Sequence, residues 1–132
     1  MSKILLVEDE AQHILLVKIR LEIHGYRVEA AQSAADALKA AEREKPDLIL
    51  LDLMLPDMGP GELIKALRAL PAGGKTPIIA FTSLDAYEIN RKHLSAEIAE
   101  FIPKPYETSE LMEKVVKFLA KPADREGAVG GC

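Results

Sequence analysis

Residues 46–52 read Pro-Asp-Leu-Ile-Leu-Leu-Asp, and the unbroken apolar run Leu48 to Leu51 inside them restricts the fold more than any other stretch. The run is too short for a buried helix and does not alternate with polar residues. A segment of that kind is a strand covered on both faces, the situation of a central strand in a parallel sheet. Asp52 closes it. An acid at the point where a buried strand runs out lies at the carboxyl edge of the sheet, where open α/β folds bind their ligands. Taken by itself, Asp52 reads equally well as a cap for the following turn.

The rest of the chain repeats the pattern. Ile4 to Val7 is a first apolar run and ends in Glu8-Asp9-Glu10. From Ala11 the apolar residues Ile14, Leu15, Val17 and Leu21 recur at helical spacing, and Gly25 supplies a left-handed stop. Tyr26 to Ala31 reads as a short strand with Val28 and Ala30 inward. Ser33 with Asp36 three residues on opens a helix whose apolar face is Ala37, Leu38 and Ala41. After a loop at Pro56 to Gly61, Leu63, Ile64, Leu67 and Leu70 mark a third helix. Pro77 to Phe81 is a fourth strand, closed by Thr82-Ser83. Asp85 to Leu94 is the weakest helix, with Ala86, Tyr87 and Ile89 to pack. Phe101-Ile102 runs into Pro103-Lys104-Pro105, and Thr108 or Ser109 caps a final helix with Leu111, Met112, Val115, Val116 and Leu119 inward. Strands alternating with helices through short connections and right-handed crossovers imply a doubly wound α/β domain with a parallel sheet.

At 132 residues the chain holds one such domain, able to bury roughly two thirds of its unfolded surface. The globular unit is expected over 1–121, with 122–132 a disordered tail or linker stub. No apolar run approaches the roughly 18 residues that span a bilayer, and the run at 4–7 is shorter than a signal-peptide core. No membrane association and a cytoplasmic location are therefore expected. The single cysteine, Cys132, excludes an internal disulfide and a cysteine-based metal site. A net charge of -4 argues against direct contact with nucleic acid, which needs basic surface to displace counterions.

The strand ends bring together Glu8, Asp9, Asp52, Thr82 and Lys104. Carboxylates gathered at one edge repel one another unless a positive charge sits among them. Magnesium prefers one or two carboxylates, waters and a phosphate oxygen, and an acidic set without His or Cys suits it better than zinc. Lys104 would then oppose a phosphoryl group as a point charge, and Thr82 would donate to one of its oxygens. Asp52 would be the nucleophile, because carboxylates form aspartyl-phosphates. The bland alternatives are a solvated loop lysine and a threonine that caps a strand end.

Val7-Glu8-Asp9-Glu10, Asp47 to Asp52 with Pro56, Pro77 to Thr82, and Phe101-Ile102-Pro103-Lys104-Pro105 together resemble the response-regulator receiver domains of two-component signalling, over residues 3 to about 120. The resemblance implies a flavodoxin-like, five-stranded parallel sheet in the order 2-1-3-4-5 with five helices. It also implies that Asp52 takes a phosphoryl group from a histidine kinase or histidine phosphotransfer protein, with magnesium held by Asp9, Asp52 and the Met54 backbone carbonyl, and by Glu8 through water. Thr82 and Phe101 match the family's switch pair. A downstream protein would bind the face of the fourth helix, fifth strand and fifth helix. Met54 and Leu84 occupy the positions that flank the hydrolytic water in that family. Being apolar, they imply slow autodephosphorylation, and no enzymatic activity is expected beyond this self-catalysed chemistry. The chain departs from the family at Glu8, where Asp is common, at Pro60, where glycine is usual, and at Ser95 to Glu100, which replaces a small-residue segment. Two alternatives are a receiver-like interaction module not regulated by phosphorylation and a flavodoxin-like enzyme. Against the enzyme, Met54 stands where a phosphatase would place its second acid, and Val7 to Glu10 is acidic where a flavin phosphate loop would be rich in glycine and hydroxyls.

Overall fold

The computed structural model describes residues 2–71, 74–83 and 85–119. In chain order its elements are β1 (Lys3–Val7), α1 (Ala11–Ile23), β2 (Arg27–Ala31), α2 (Ala34–Glu44), β3 (Leu48–Asp52), α3 (Pro60–Ala69), β4 (Ile78–Ser83), α4 (Tyr87–Leu94), β5 (Glu100–Lys104) and α5 (Thr108–Phe118). The strands form one sheet in the order β2-β1-β3-β4-β5, parallel throughout. This is the doubly wound architecture expected from the sequence.

Alternation along the central strands divides the interior into two layers, because successive side chains of a strand point to opposite faces. Leu5, Val7, Ile49, Leu51, Ile78 and Ala80 pack with the buried residues of α2 and α3. Ile4, Leu6, Leu48, Leu50, Ile79 and Phe81 pack with Val17 and Leu21 of α1 and Leu111 and Val115 of α5. Every residue of β3 is buried, which accounts for its lack of polar alternation. The expected tail at 122–132 lies outside the described residues.

Local signals act as their chemistry requires. The Ser33 hydroxyl accepts from the Asp36 amide at 3.1 Å and caps α2. After α1, Gly25 takes φ 93°, its amide donates to the Glu22 carbonyl, and the Tyr26 amide donates to the Leu21 carbonyl. That pair of bonds is a left-handed stop of the Schellman type. Pro60 is the first residue of α3 and Gly59 precedes it as the cap, so the proline in place of glycine is accommodated where no amide donor is needed. Ser95 to Glu97 form a turn, and Ala99 donates to Ile78 to begin the β4–β5 ladder.

Some packing differs from expectation. Leu15 is exposed, as are Leu16, Ile19 and Ile23, because the inward face of α1 carries Val17 and Leu21 and helical geometry turns Leu15 away from both. Ile89 is also exposed, and α4 buries no residue completely. The helix α5 begins with Glu107 as its cap and lacks a side-chain cap bond, so neither Thr108 nor Ser109 serves there. Lys117, in the last turn of α5, pairs with Glu100 of β5 at 3.0 Å.

Candidate functional site

The order β2-β1-β3 makes the chain leave β1 on one side and β3 on the other, and this reversal opens a crevice at the carboxyl edge. Glu8 follows the last residue of β1, and Asp52 ends β3. Both are nearly inaccessible, at 1% and 4% exposure, whereas Asp9 is exposed. Carboxylate oxygens of Glu8, Asp9 and Asp52 all lie within 4.8 Å of one another. Lys104, at the end of β5, reaches across with Nζ 3.3 Å from Glu8 Oε1 and 3.3 Å from Asp52 Oδ2.

Two buried carboxyls this close cannot ionise independently. Burial, and after it the adjacent Glu8 carboxyl, push Asp52 up from the ordinary aspartate range against the Met54 amide and Lys104, which favour its charge. Burial also works to raise Glu8, but bonds from His13, the Glu10 amide and Asp52, together with Lys104, outweigh it and hold Glu8 below the usual carboxylate range. Glu8 is thus the partner that stays charged. Lys104 loses hydration here, yet the charges of Asp52 and Glu8 raise it above an ordinary lysine.

Glu8 is held by a second layer. Its Oε2 accepts from the Glu10 amide at 3.0 Å, and its Oε1 is bonded to His13 Nδ1. On its other side, His13 Nε2 is bonded to the Tyr106 hydroxyl. The tautomer with hydrogen on Nδ1 satisfies both contacts, donating to the carboxylate and accepting from the phenol. Tyr106 stacks on Phe81 with ring centroids 5.2 Å apart. Burial, then the Glu8 charge, push its phenol up.

The loop after Asp52 is tied at two points. Asp52 Oδ1 accepts from the Met54 amide at 2.9 Å, leaving the Met54 side chain exposed at the mouth of the crevice. Asp57 reaches the start of α2, where its oxygens accept from the Ala34 and Ala35 amides at 3.0 and 3.2 Å. On the β4 side Thr82 is completely buried, and its Oγ1 accepts from Asn90 Nδ2 of α4 at 2.6 Å. Phe101 is buried on the α2–α3 side of the sheet, with Tyr87 of α4 edge-on to its ring at 6.4 Å.

Five residues singled out in the sequence therefore converge on one edge: Glu8, Asp9 and Asp52 in mutual reach, Lys104 in contact with Glu8 and Asp52, and Thr82 one position past Phe81, the β4 partner of Asp52 in register. Phe101 lies inside the sheet sandwich, away from that edge. Leu84 lies outside the described residues. Sequence reasoning missed His13, Tyr106 and Asn90, and the acidic set does have a histidine beside it. The spacing His13-Val17-Leu21 placed His13 on the buried face of α1, and Tyr87-Asn90-Leu94 placed Asn90 on the inner face of α4.

The sequence profile of the response regulator receiver domain matches residues 4–117. The chain belongs to this family. Receiver domains are signalling modules of two-component systems, and the fold described above is that of such a module. Among curated relatives, the alkaline phosphatase synthesis transcriptional regulatory protein PhoP of Bacillus subtilis is 38% identical over 91% of this chain and 49% of its own length. A 14.6 kDa protein of Leptolyngbya boryana is 35% identical over 92% of this chain and 93% of its own. The chain thus spans about half the length of the first of these relatives and nearly all of the second. Among solved structures, the receiver domain of a sensor histidine kinase of Pseudomonas aeruginosa, with a magnesium ion coordinated in its active-site cleft, superposes with a TM-score of 0.79. It is 31% identical and covers 89% of this chain and 96% of its own. The response regulator TrrA of Thermotoga maritima, in complex with magnesium and beryllofluoride, gives 0.78 at 32% identity, covering 90% of this chain and 100% of its own.

The donor set of this receiver fits the same ion. Its oxygens are hard carboxylates, one exposed and two buried, and the pair of acids that crowd each other gains from a divalent cation what Lys104 supplies only in part. Among the described residues no helix is long and apolar enough to cross a membrane.

Proposed function

We propose that this receiver is a phosphoacceptor switch, modified on Asp52 by a histidine kinase or a histidine phosphotransfer protein. The observation that carries the reading is the position of Lys104, 3.3 Å from both Asp52 and Glu8, in a cluster where Asp9 completes an oxygen set. Glu8, Asp9, Asp52 and the Met54 carbonyl would hold magnesium, which when bound neutralises charge on the attacking carboxylate and on the phosphoryl oxygens. Asp52 attacks phosphorus, the P–N bond of the donor phosphohistidine breaks, and the electron pair returns to the donor imidazole. Lys104 opposes the negative charge of the phosphoryl group, and Thr82 donates its hydroxyl to one of the oxygens. Glu8, kept charged by His13 and the Glu10 amide, has no free proton to contest with Asp52.

Two surfaces support roles for protein partners. A groove of about 550 Å3 between α1 and the β5–α5 loop opens onto Asp52 and is lined by Leu16, Met54 and Pro105 among others. Leu16 and Met54 are exposed apolar side chains, suited to a partner that brings its phosphohistidine to the crevice. The face formed by α4, β5 and α5 would carry the output. Its helix α4 lacks a fully buried residue, and two-state elements are drawn from segments of low local stability.

The test is incubation with a small phosphodonor and magnesium, followed by intact-mass analysis of wild type and Asp52→Ala. One phosphoryl group on the wild type and none on the variant is expected. An adduct formed equally on Asp52→Ala excludes Asp52 as the acceptor.

A further inference from the structure

The bond between α4 and the buried hydroxyl of Thr82 has no part in the phosphoryl chemistry described above. Asn90 Nδ2 donates to Thr82 Oγ1 at 2.6 Å, and the hydroxyl itself points its proton toward the Ser83 carbonyl at a long 3.5 Å. Both partners belong to the β4–α4 side of the site. Thr82 is β-branched, so its χ1 occupies discrete wells, and moving Oγ1 from one to another takes it out of hydrogen-bond range of a fixed donor. A change of χ1 that carries Oγ1 toward Asp52 therefore breaks this bond.

The helix that carries Asn90 is weakly attached. It has eight residues and none is fully buried. Among the described residues it is also tied to the body by the partly buried Tyr87 and Leu94, and by the Ala86 amide just before it, which donates to Ser83 Oγ at 3.2 Å. One buried side-chain bond is a large share of such an attachment. We propose that Asn90 is a positioning residue that latches the Thr82 hydroxyl to α4 while Asp52 is unmodified and releases it when Thr82 turns to a phosphoryl group. Release then frees α4, and the inference rests on the phosphoacceptor reading of Asp52. Asn90 acts on the reaction only through Thr82 and touches none of the carboxylates.

A latch that must open before the hydroxyl can engage reduces the apparent affinity for a phosphoryl group by the fraction of molecules in which it is open. A single buried hydrogen bond is worth about a fivefold shift in such an equilibrium. Wild type, Asn90→Ala, Thr82→Val and the double variant should be compared in two measurements, with circular dichroism to confirm that each is folded. In hydrogen exchange of the unmodified proteins, Asn90→Ala should speed exchange over 87–94 about fivefold, and the same change should have little effect when Thr82→Val is already present. In titration with beryllofluoride and magnesium, Asn90→Ala should bind the phosphoryl mimic about fivefold more tightly than wild type. Unchanged or weaker binding by Asn90→Ala overturns the latch, and so does a faster exchange that persists in full beside Thr82→Val, since that would be ordinary helix stabilisation. If wild type neither binds beryllofluoride nor accepts phosphate from a small donor, the phosphoacceptor reading fails and the release step with it. Binding by wild type with no gain in Asn90→Ala removes the latch alone.

Discussion

Lys104 Nζ lies 3.3 Å from Asp52 Oδ2, although the two residues sit on strands that do not touch. In the sheet order, β4 separates β5 from β3, and the lysine stem spans it, with Nζ 6.0 Å from the Phe81 ring centre. The contact therefore bridges the acceptor strand and the strand proposed for output. Lys104→Ala should still accept a phosphoryl group from a small donor but show a much smaller phosphate-dependent change in exchange or chemical shift over α4 and β5. Equal responses in variant and wild type would contradict the role given to this contact.

Asp52 is the site's own source of instability. Its folded-state pKa is raised above the ordinary 3.8, chiefly by burial and next to Glu8. A carboxyl with a raised folded-state value contributes stability that is present below its unfolded value and is lost as pH rises through the folded one. At pH 7 its charge is therefore a net cost. Asp52→Asn should raise the melting temperature at pH 7 without magnesium by a few degrees, on the order of 1 kcal/mol for a domain of this size. The gain should shrink as pH falls through the raised folded-state value and be gone below the ordinary 3.8. A variant that melts lower than wild type at pH 7 would reverse the assignment.

Asp57 has the opposite sign. Its carboxylate accepts from the Ala34 and Ala35 amides, and those bonds hold it below the ordinary 3.8. A lowered acid contributes stability that is present above its unfolded value and is lost as pH falls through the folded one. Asp57→Ala should lower the melting temperature at pH 7, and the difference from wild type should shrink as pH falls below the ordinary 3.8 and through the lowered folded-state value. Because Asp57 is exposed, added salt should shrink the effect. A difference that did not change with pH would point to packing instead of charge.

Met54 stands over the mouth of the crevice with its thioether exposed. It has no group that can orient a water for in-line attack on a phosphoryl at Asp52. Met54→Asn should speed the decay of the phosphorylated protein about tenfold in magnesium without kinase. Decay at the wild-type rate would show that water positioning at this residue does not set the lifetime.

Much of this could be read before any coordinates. The apolar runs at 4–7, 48–51 and 78–81 each end in residues with chemistry, and a parallel sheet sends all such ends to one edge. Strand identity and the convergence of Glu8, Asp9, Asp52, Thr82 and Lys104 are thus consequences of local pattern and fold class alone. Capping at Ser33 and the stop at Gly25 depend on backbone chemistry within a few residues, which is also local. By contrast, a helical repeat does not say which of two adjacent apolar stripes faces the sheet. Leu15, Leu16, Ile19 and Ile23 look as apolar as Val17 and Leu21, yet they point to solvent.

Only the tertiary structure decided how each buried polar group is satisfied. His13 and Tyr106 are 93 residues apart and meet because α1 and the β5–α5 loop cover the same side of the sheet. Asn90 reaches Thr82 because α4 returns over the end of its own strand. Neither pairing has a periodicity or motif that would announce it. Which segments become strands and helices of the core follows from how apolar residues recur along the chain. A hydrogen bond, in contrast, depends on distances held to within a few tenths of an ångström between groups remote in sequence, and these exist only once the core has packed.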